Sequence, residues 1–137
     1  MPKRRILIVD DEATLTRLLE LHLQDRYEVR VENRGSLALQ AAREFQPDLI
    51  LLDLLMPDLT GREVLLQIRG DPHLQRIPVV FLTAAMPEAQ ERATMGAASL
   101  DLWIAKPARA AEVMERIEKQ LPPEPGRPQL RRDVSPG

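Results

Sequence analysis

Leu49 to Leu52 are four consecutive apolar residues set between Asp48 and Asp53. A run that short and continuous, without alternation, fits a strand buried on both faces, as in the middle of a parallel sheet. Pro57 and Gly61 end the regular structure after it and set a loop before the next helix. Asp53 therefore falls at the carboxyl end of a buried strand. In open α/β sheets that edge is where ligands bind. A carboxylate there is costly to desolvate unless it is paired, hydrogen-bonded or bound to a metal. An isolated Asp in that place serves as readily as a helix or turn cap, so the rest of the chain has to decide.

The flanking sequence repeats the pattern. Arg4 to Val9 reads as a first strand ending at Asp10-Asp11. From Ala13 to Asp25, Leu15, Leu18, Leu19 and Leu23 recur at helical spacing. Val29 to Val31 alternates with charges and suits a strand nearer an edge. Gly35 precedes a helix through about Phe45, with Leu37, Ala38, Ala41 and Ala42 as its inner face, and Pro47 stops it. After the central strand, a helix from Arg62 to Arg69 carries Val64, Leu65 and Ile68, and Gly70-Asp71-Pro72 breaks it. Val79 to Leu82 is a second continuous apolar run with Thr83 at its carboxyl end. A helix from Glu88 to Met95, a strand from Leu100 to Ala105 and a helix from Ala110 to Leu121 complete the series. Five strands alternating with five helices predict a doubly wound α/β fold: a parallel sheet, right-handed crossovers and helices on both faces.

Composition narrows the function. A chain of 137 residues supports one domain with a real core. Its net charge of −2 gives no general attraction to nucleic acid or to an anionic membrane. The absence of cysteine excludes a disulfide scaffold and a thiolate metal site. The basic start, Met1-Pro2-Lys3-Arg4-Arg5, is followed by only four apolar residues, Ile6 to Val9, far short of a signal-peptide core. No apolar stretch approaches the length of a membrane span, so a cytoplasmic protein is expected. Beyond Leu121 the chain reads Pro122-Pro123-Glu124-Pro125-Gly126-Arg127-Pro128, a density that describes an extended or disordered tail. The expected division is a domain over residues 1–121 and a tail over 122–137. His22 and His73 lie away from the strand ends and read as structural or solvated.

Polar residues collect at the ends of the apolar runs: Asp10 and Asp11, Asp53, and Thr83, with Lys106 after the last strand. Three carboxylates at one sheet edge repel one another, and a hard divalent cation with oxygen ligands relieves that. Magnesium suits the site because it takes few carboxylates and keeps waters. Asp53, flanked by leucines and most central, is the candidate nucleophile, since a carboxylate attacks phosphorus to give an aspartyl phosphate. Thr83 and Lys106 are placed to bind phosphoryl oxygens. Each residue alone has a commonplace reading; all of them on one edge of one alternating chain do not.

Four pieces together, Ile8-Val9-Asp10-Asp11-Glu12, Asp53-Leu54-Leu55-Met56-Pro57 with Gly61, Leu82-Thr83-Ala84, and Lys106-Pro107, make the stretch from about Arg4 to Leu121 resemble the receiver domain of two-component response regulators. The resemblance implies the flavodoxin-like strand order 2-1-3-4-5. It implies that Asp53 accepts phosphate from a phosphohistidine on a sensor histidine kinase or phosphotransfer protein. Asp11 and Asp53, with the main-chain carbonyl of Leu55, would ligate Mg2+, and Asp10 would act through water. Thr83 and Lys106 would bind the phosphoryl group. Thr83 would then move toward the phosphate, and Trp103, standing where the family carries its switch Tyr or Phe, would turn inward and alter the face made by the fourth helix, last strand and last helix. The resemblance implies no enzyme activity beyond the domain's own phosphorylation and dephosphorylation, and allows a phosphorylation-dependent homodimer.

The chain departs from the family pattern in places. Ala98 to Leu102 lengthen the spacing between Gly96 and Lys106, and a Trp at 103 keeps an N–H to satisfy. Many receivers continue into a DNA-binding domain, whereas Arg127, Arg131 and Arg132 are too scattered to read nucleic acid. A stand-alone receiver, or one cut from a longer chain, is expected, with its output partner unnamed. A phosphatase of the haloacid dehalogenase type resembles this pattern too, but needs an acid where Leu55 stands. A receiver fold that acts as an interaction module without phosphorylation is the other alternative.

Overall fold

Every residue of the strand Leu49–Asp53 is buried, and so is every residue of Val79–Thr83. Both are unbroken apolar runs that end in one polar residue, so both carry a polar side chain to the edge of a dry sheet. The computed structural model describes residues 3–121; the expected tail over 122–137 lies outside the described residues. The strands are β1 (Arg4–Val9), β2 (Tyr27–Glu32), β3 (Leu49–Asp53), β4 (Val79–Thr83) and β5 (Trp103–Ala105). The helices are α1 (Ala13–Leu23), α2 (Ala38–Phe45), α3 (Gly61–Arg69), α4 (Ala89–Thr94) and α5 (Ala110–Gln120). All strand pairs are parallel, in the order β2-β1-β3-β4-β5. This is the doubly wound, flavodoxin-like architecture expected from the sequence.

Alternation along the strands makes two cores. Leu7, Val9, Ile50, Leu52 and Phe81 face Ala38, Ala41 and Ala42 of α2 and Val64, Leu65 and Ile68 of α3. Ile6, Ile8, Leu49, Leu51, Val80 and Leu82 face Leu19 and Leu23 of α1 and Val113 and Ile117 of α5. The chain winds one way from β1 to β2 and the other way from β1 to β3. The carboxyl ends of β1 and β3 are therefore the switch point, where a crevice must open. Register puts Val9 opposite Leu52, so Asp10 and Asp53 emerge side by side there.

The loop after β3 is fixed at both ends. Gly61 N–H donates to the Leu54 carbonyl at 2.9 Å. Thr60 caps α3: its hydroxyl accepts from Glu63 N–H at 3.3 Å, and the Glu63 carboxylate accepts from Thr60 N–H at 3.0 Å.

Several elements differ from the sequence expectation. The last strand starts at Trp103, not Leu100, because Leu100–Leu102 closes into a 3-10 turn. Ser99 drives that turn: its hydroxyl accepts from Asp101 N–H at 3.1 Å, and its carbonyl accepts from Leu102 N–H at 3.1 Å. Leu37 is not on the inner face of α2. It lies in a 3-10 turn, Gly35–Leu37, and is 42% exposed. The turn spends Leu37 on solvent because Gly35 packs inward there, so close to the Leu59 carbonyl that a Cβ would sit 2.4 Å from it. Leu18 of α1 also faces out. The strand read as Val29–Val31 is longer, Tyr27–Glu32, and α1 stops at Leu23. Both histidines lie off the carboxyl edge: His22 Nδ1 is 2.9 Å from the Leu18 carbonyl, and His73 N–H donates to Asp71 at 2.8 Å. Among the described residues no helix is long and apolar enough to cross a membrane.

Candidate functional site

The sheet's own hydrogen bonds run into the loops and fix the polar groups. Asp10 N–H continues the ladder to Glu32 at 3.2 Å, Leu54 N–H reaches Leu82 at 3.0 Å, and Lys106 N–H reaches Thr83 at 2.8 Å. Asp10, Asp53 and Thr83 are buried to 2% exposure or less. Asp11, next along the chain, faces solvent. One carboxylate oxygen from each of Asp10, Asp11 and Asp53 lies within 4.8 Å of the others. Lys106 Nζ stands 2.9 Å from Asp10 Oδ2 and 3.4 Å from Asp53 Oδ2, and also donates to Glu12 Oε1. The sequence reading thus named residues that do converge: Asp10, Asp11, Asp53 and Lys106 form one cluster, with Thr83 at the end of the neighbouring strand.

Charge is unbalanced here, and the pKa shifts follow. Burial raises the Asp53 carboxyl to about 7, and the Asp10 charge beside it pushes the same way. Lys106 and a hydrogen bond from Leu55 N–H, 3.2 Å from Oδ1, oppose the shift without cancelling it. Burial alone would lower the Lys106 ammonium; the bond to Glu12 and the contacts with Asp10 and Asp53 outweigh it and raise the ammonium above the ordinary lysine range.

Asp10 supplies the test for a cation. Its Oδ1 accepts from Glu12 N–H at 2.9 Å. Its Oδ2 is buried, and the group it faces is the Lys106 ammonium, 2.9 Å away and shared with Asp53 and Glu12. One ammonium among three carboxylates leaves buried negative charge only partly compensated, which is costly. With two further carboxylates in reach, a hard divalent cation fits the donor set.

Thr83 turns its hydroxyl to its own loop, donating to the Ala85 carbonyl at 2.8 Å and accepting from Ala85 N–H at 3.1 Å. Trp103 is 1% exposed. Its ring stacks on Phe81 with centroids 4.4 Å apart, and its indole N–H donates to the Ala97 carbonyl at 2.8 Å. The side chain expected to turn inward on phosphorylation already lies inward. Beside the cluster, Leu54, Leu55, Ala85, Met86 and Pro87 line a groove of about 310 Å³, and the Arg62–Glu91 ion pair lies on its rim.

The Response regulator receiver domain profile matches residues 6–118. This chain belongs to that family. Receiver domains serve phosphorylation-based signalling, and the relatives span several designs. The polar-differentiation response regulator DivK of Brucella anthropi is 34% identical over 122 residues, covering 88% of this chain and 98% of DivK. The DNA-binding response regulator MtrA of Mycobacterium tuberculosis is 36% identical over 121 residues, 87% of this chain but 51% of MtrA. A probable cyclic di-GMP phosphodiesterase of Vibrio cholerae is 32% identical over 116 residues, which is 26% of its length. This receiver thus spans about half or less of the longer curated relatives it matches. Among solved structures, the chemotaxis protein CheY4 of Vibrio cholerae superposes with a TM-score of 0.79 at 28% identity, covering 87% of this chain and 99% of CheY4.

Two residues in this receiver's polar network were not singled out from sequence. Glu12 reads as an acid at a helix start, and only the fold brings Lys106, 94 residues away, onto it. Asp58 reads as a loop residue, yet it accepts from Gly35 N–H at 3.2 Å and Ser36 N–H at 3.0 Å. Neither contact leaves a local sequence signal.

Proposed function

We propose that Asp53 is the phosphoacceptor of this receiver domain. The observation that carries the reading is a nearly fully buried carboxylate at the switch point, flanked by Asp10 and held 3.4 Å from the Lys106 ammonium. An Asp53 oxygen attacks the phosphorus of a phosphohistidine on a sensor kinase or phosphotransfer protein. The new O–P bond forms as the P–N bond breaks, and the imidazole leaves with the electron pair. Asp11, Asp53 and the Leu55 carbonyl would hold Mg2+, with Asp10 acting through water. The cation supplies positive charge that offsets the carboxylates and the incoming phosphoryl oxygens. Lys106 releases Asp53 and binds a phosphoryl oxygen. Thr83 gives up the Ala85 carbonyl to bond another, which shifts the loop ahead of α4. The shift carries to the face formed by α4, β5 and α5, where an output partner or a second copy of the chain would dock.

Trp103 favours a second reading for the last step. A side chain already stacked on Phe81 has no inward swing left to make. A receiver fold whose output face is independent of phosphate fits that observation.

The test is a phosphate-sensitive gel shift after incubation with acetyl phosphate and Mg2+. The parent is expected to shift, Asp53→Asn is expected not to, and a shift in both, or in neither, contradicts the reading.

A further inference from the structure

Glu12 holds the N-cap position of α1, yet its side chain makes no bond to the helix's own N–H groups. The carboxylate is committed elsewhere, as the acceptor of a hydrogen bond from Lys106 Nζ. Three carboxylates therefore crowd one ammonium: Asp10 and Asp53 from the buried side, and Glu12 from outside. The exposures mark the difference. The side chains of Asp10 and Asp53 are 0% and 3% exposed, that of Lys106 13%, and that of Glu12 56%. A phosphoryl donor has to arrive from solvent, so it meets Lys106 on the side that Glu12 already covers.

We infer that Glu12 is a positioning residue that holds Lys106 back from the incoming phosphoryl group and thereby slows phosphoryl acceptance. The inference rests on the reading of Asp53 as phosphoacceptor. Before transfer, Glu12 occupies the outer side of the ammonium. As a phosphoryl oxygen takes Lys106, Glu12 releases it and swings into solvent, which its exposure permits. Glu12 forms no covalent bond and moves no proton. With acetyl phosphate as donor, the Asp53 O–P bond forms, the P–O bond to acetate breaks, and acetate leaves with the electron pair. After transfer, Glu12 competes with the phosphoryl group for the same ammonium, so it also shortens the life of the phosphorylated state.

The test follows phosphate on the full chain with acetyl phosphate and Mg2+. Initial rates of incorporation, and rates of loss after donor removal, are compared for the parent, Glu12→Gln and Glu12→Asp. Glu12 makes no cap bond and is exposed, so both variants are expected to fold like the parent, which unfolding midpoints check. Glu12→Gln is expected to incorporate phosphate about fivefold faster, the size set by a half-exposed ion pair, and to lose it more slowly. Glu12→Asp keeps the charge but is one methylene too short for Lys106, and is expected to behave like Glu12→Gln. Parent-like behaviour of Glu12→Asp beside a fast Glu12→Gln overturns the inference in favour of plain charge repulsion. Rates equal to the parent in both variants, or acceptance and loss rising together, overturn it while leaving Asp53 as phosphoacceptor. No incorporation in parent or variants overturns both.

Discussion

Asp53 closes β3 and Asp58 lies five residues on, in the loop that leads to α3, yet their carboxyls are driven in opposite directions. Asp53 is buried at the strand end beside Asp10 and is raised to about 7. Asp58 faces solvent and is lowered to about 2, chiefly by Ser36, whose N–H and hydroxyl both stabilise the charge, with help from the N–H groups of Leu59 and Gly35. The first carboxylate lacks enough compensation for its charge, and the second has it in full. That separates their uses. An under-compensated carboxylate gains most from a cation, whereas a satisfied one latches the loop to the turn at Gly35–Leu37.

The largest expected break in the comparison is Asp53→Asn. The folded-state pKa lies above the ordinary value of 3.8, so between about pH 4 and pH 7 the folded chain keeps a proton that the unfolded chain gives up. Parent stability therefore falls as pH rises through that window and levels off above it. Asn carries no such charge. Without Mg2+, Asp53→Asn should be more stable than the parent by several kcal/mol above pH 7, with the gap closing toward pH 4. Urea unfolding across that range checks it, and a constant gap contradicts the burial argument.

Gly61→Ala should disturb both carboxylates at once. A Cβ there would sit 2.4 Å from the Asp53 carbonyl and 2.7 Å from Leu54 Cα, and backbone cannot move aside cheaply. The expected cost is about 3 kcal/mol, read from the urea midpoint, together with weaker Mg2+ binding.

The side chains bordering the cluster should also govern how long phosphate stays on Asp53. Hydrolysis needs a water in line with phosphorus, and Leu55 and Ala85, which line the groove beside the cluster, have no side-chain group to place one. Self-dephosphorylation should be slow in the parent and about tenfold faster in the Leu55→Asn, Ala85→Glu double variant. Loss of radiolabelled phosphate without any partner measures both.

The smallest effect is expected at Asp58. Its lowered pKa means its contribution is present above about pH 4 and disappears as pH falls toward 2. Asp58→Asn should be slightly less stable than the parent at neutral pH and equal to it near pH 2, with phosphorylation of Asp53 preserved.

How much of this was legible in the sequence follows from what each feature depends on. The central strands were, because Leu49 to Leu52 and Val79 to Leu82 are short continuous apolar runs between turn signals, as a strand buried on both faces requires. Asp10, Asp53 and Thr83 were too, because each closes such a run. The start of β5 was not: Ser99 competes for the backbone through its hydroxyl, a choice that apolar character at Leu100 and Leu102 conceals. Leu37 looked like a core residue because helical spacing ignores the 3-10 turn that rotates it outward. Glu12 and Asp58 were illegible for a different reason. Their partners, Lys106 and Ser36, are distant in sequence, and a carboxylate's charge state depends on neighbours that only the fold supplies.

Burial beside Asp10 leaves Asp53 poised for a cation, while Asp58 stays a satisfied latch. Carbon-13 NMR of the aspartate side-chain carboxyls, titrated with and without Mg2+, tests it most directly. Asp53 is expected to titrate near pH 7 without the cation and well below that with it, and Asp58 near pH 2 in both. An Asp53 carboxyl that titrates near its ordinary value of 3.8 and ignores Mg2+ would contradict it.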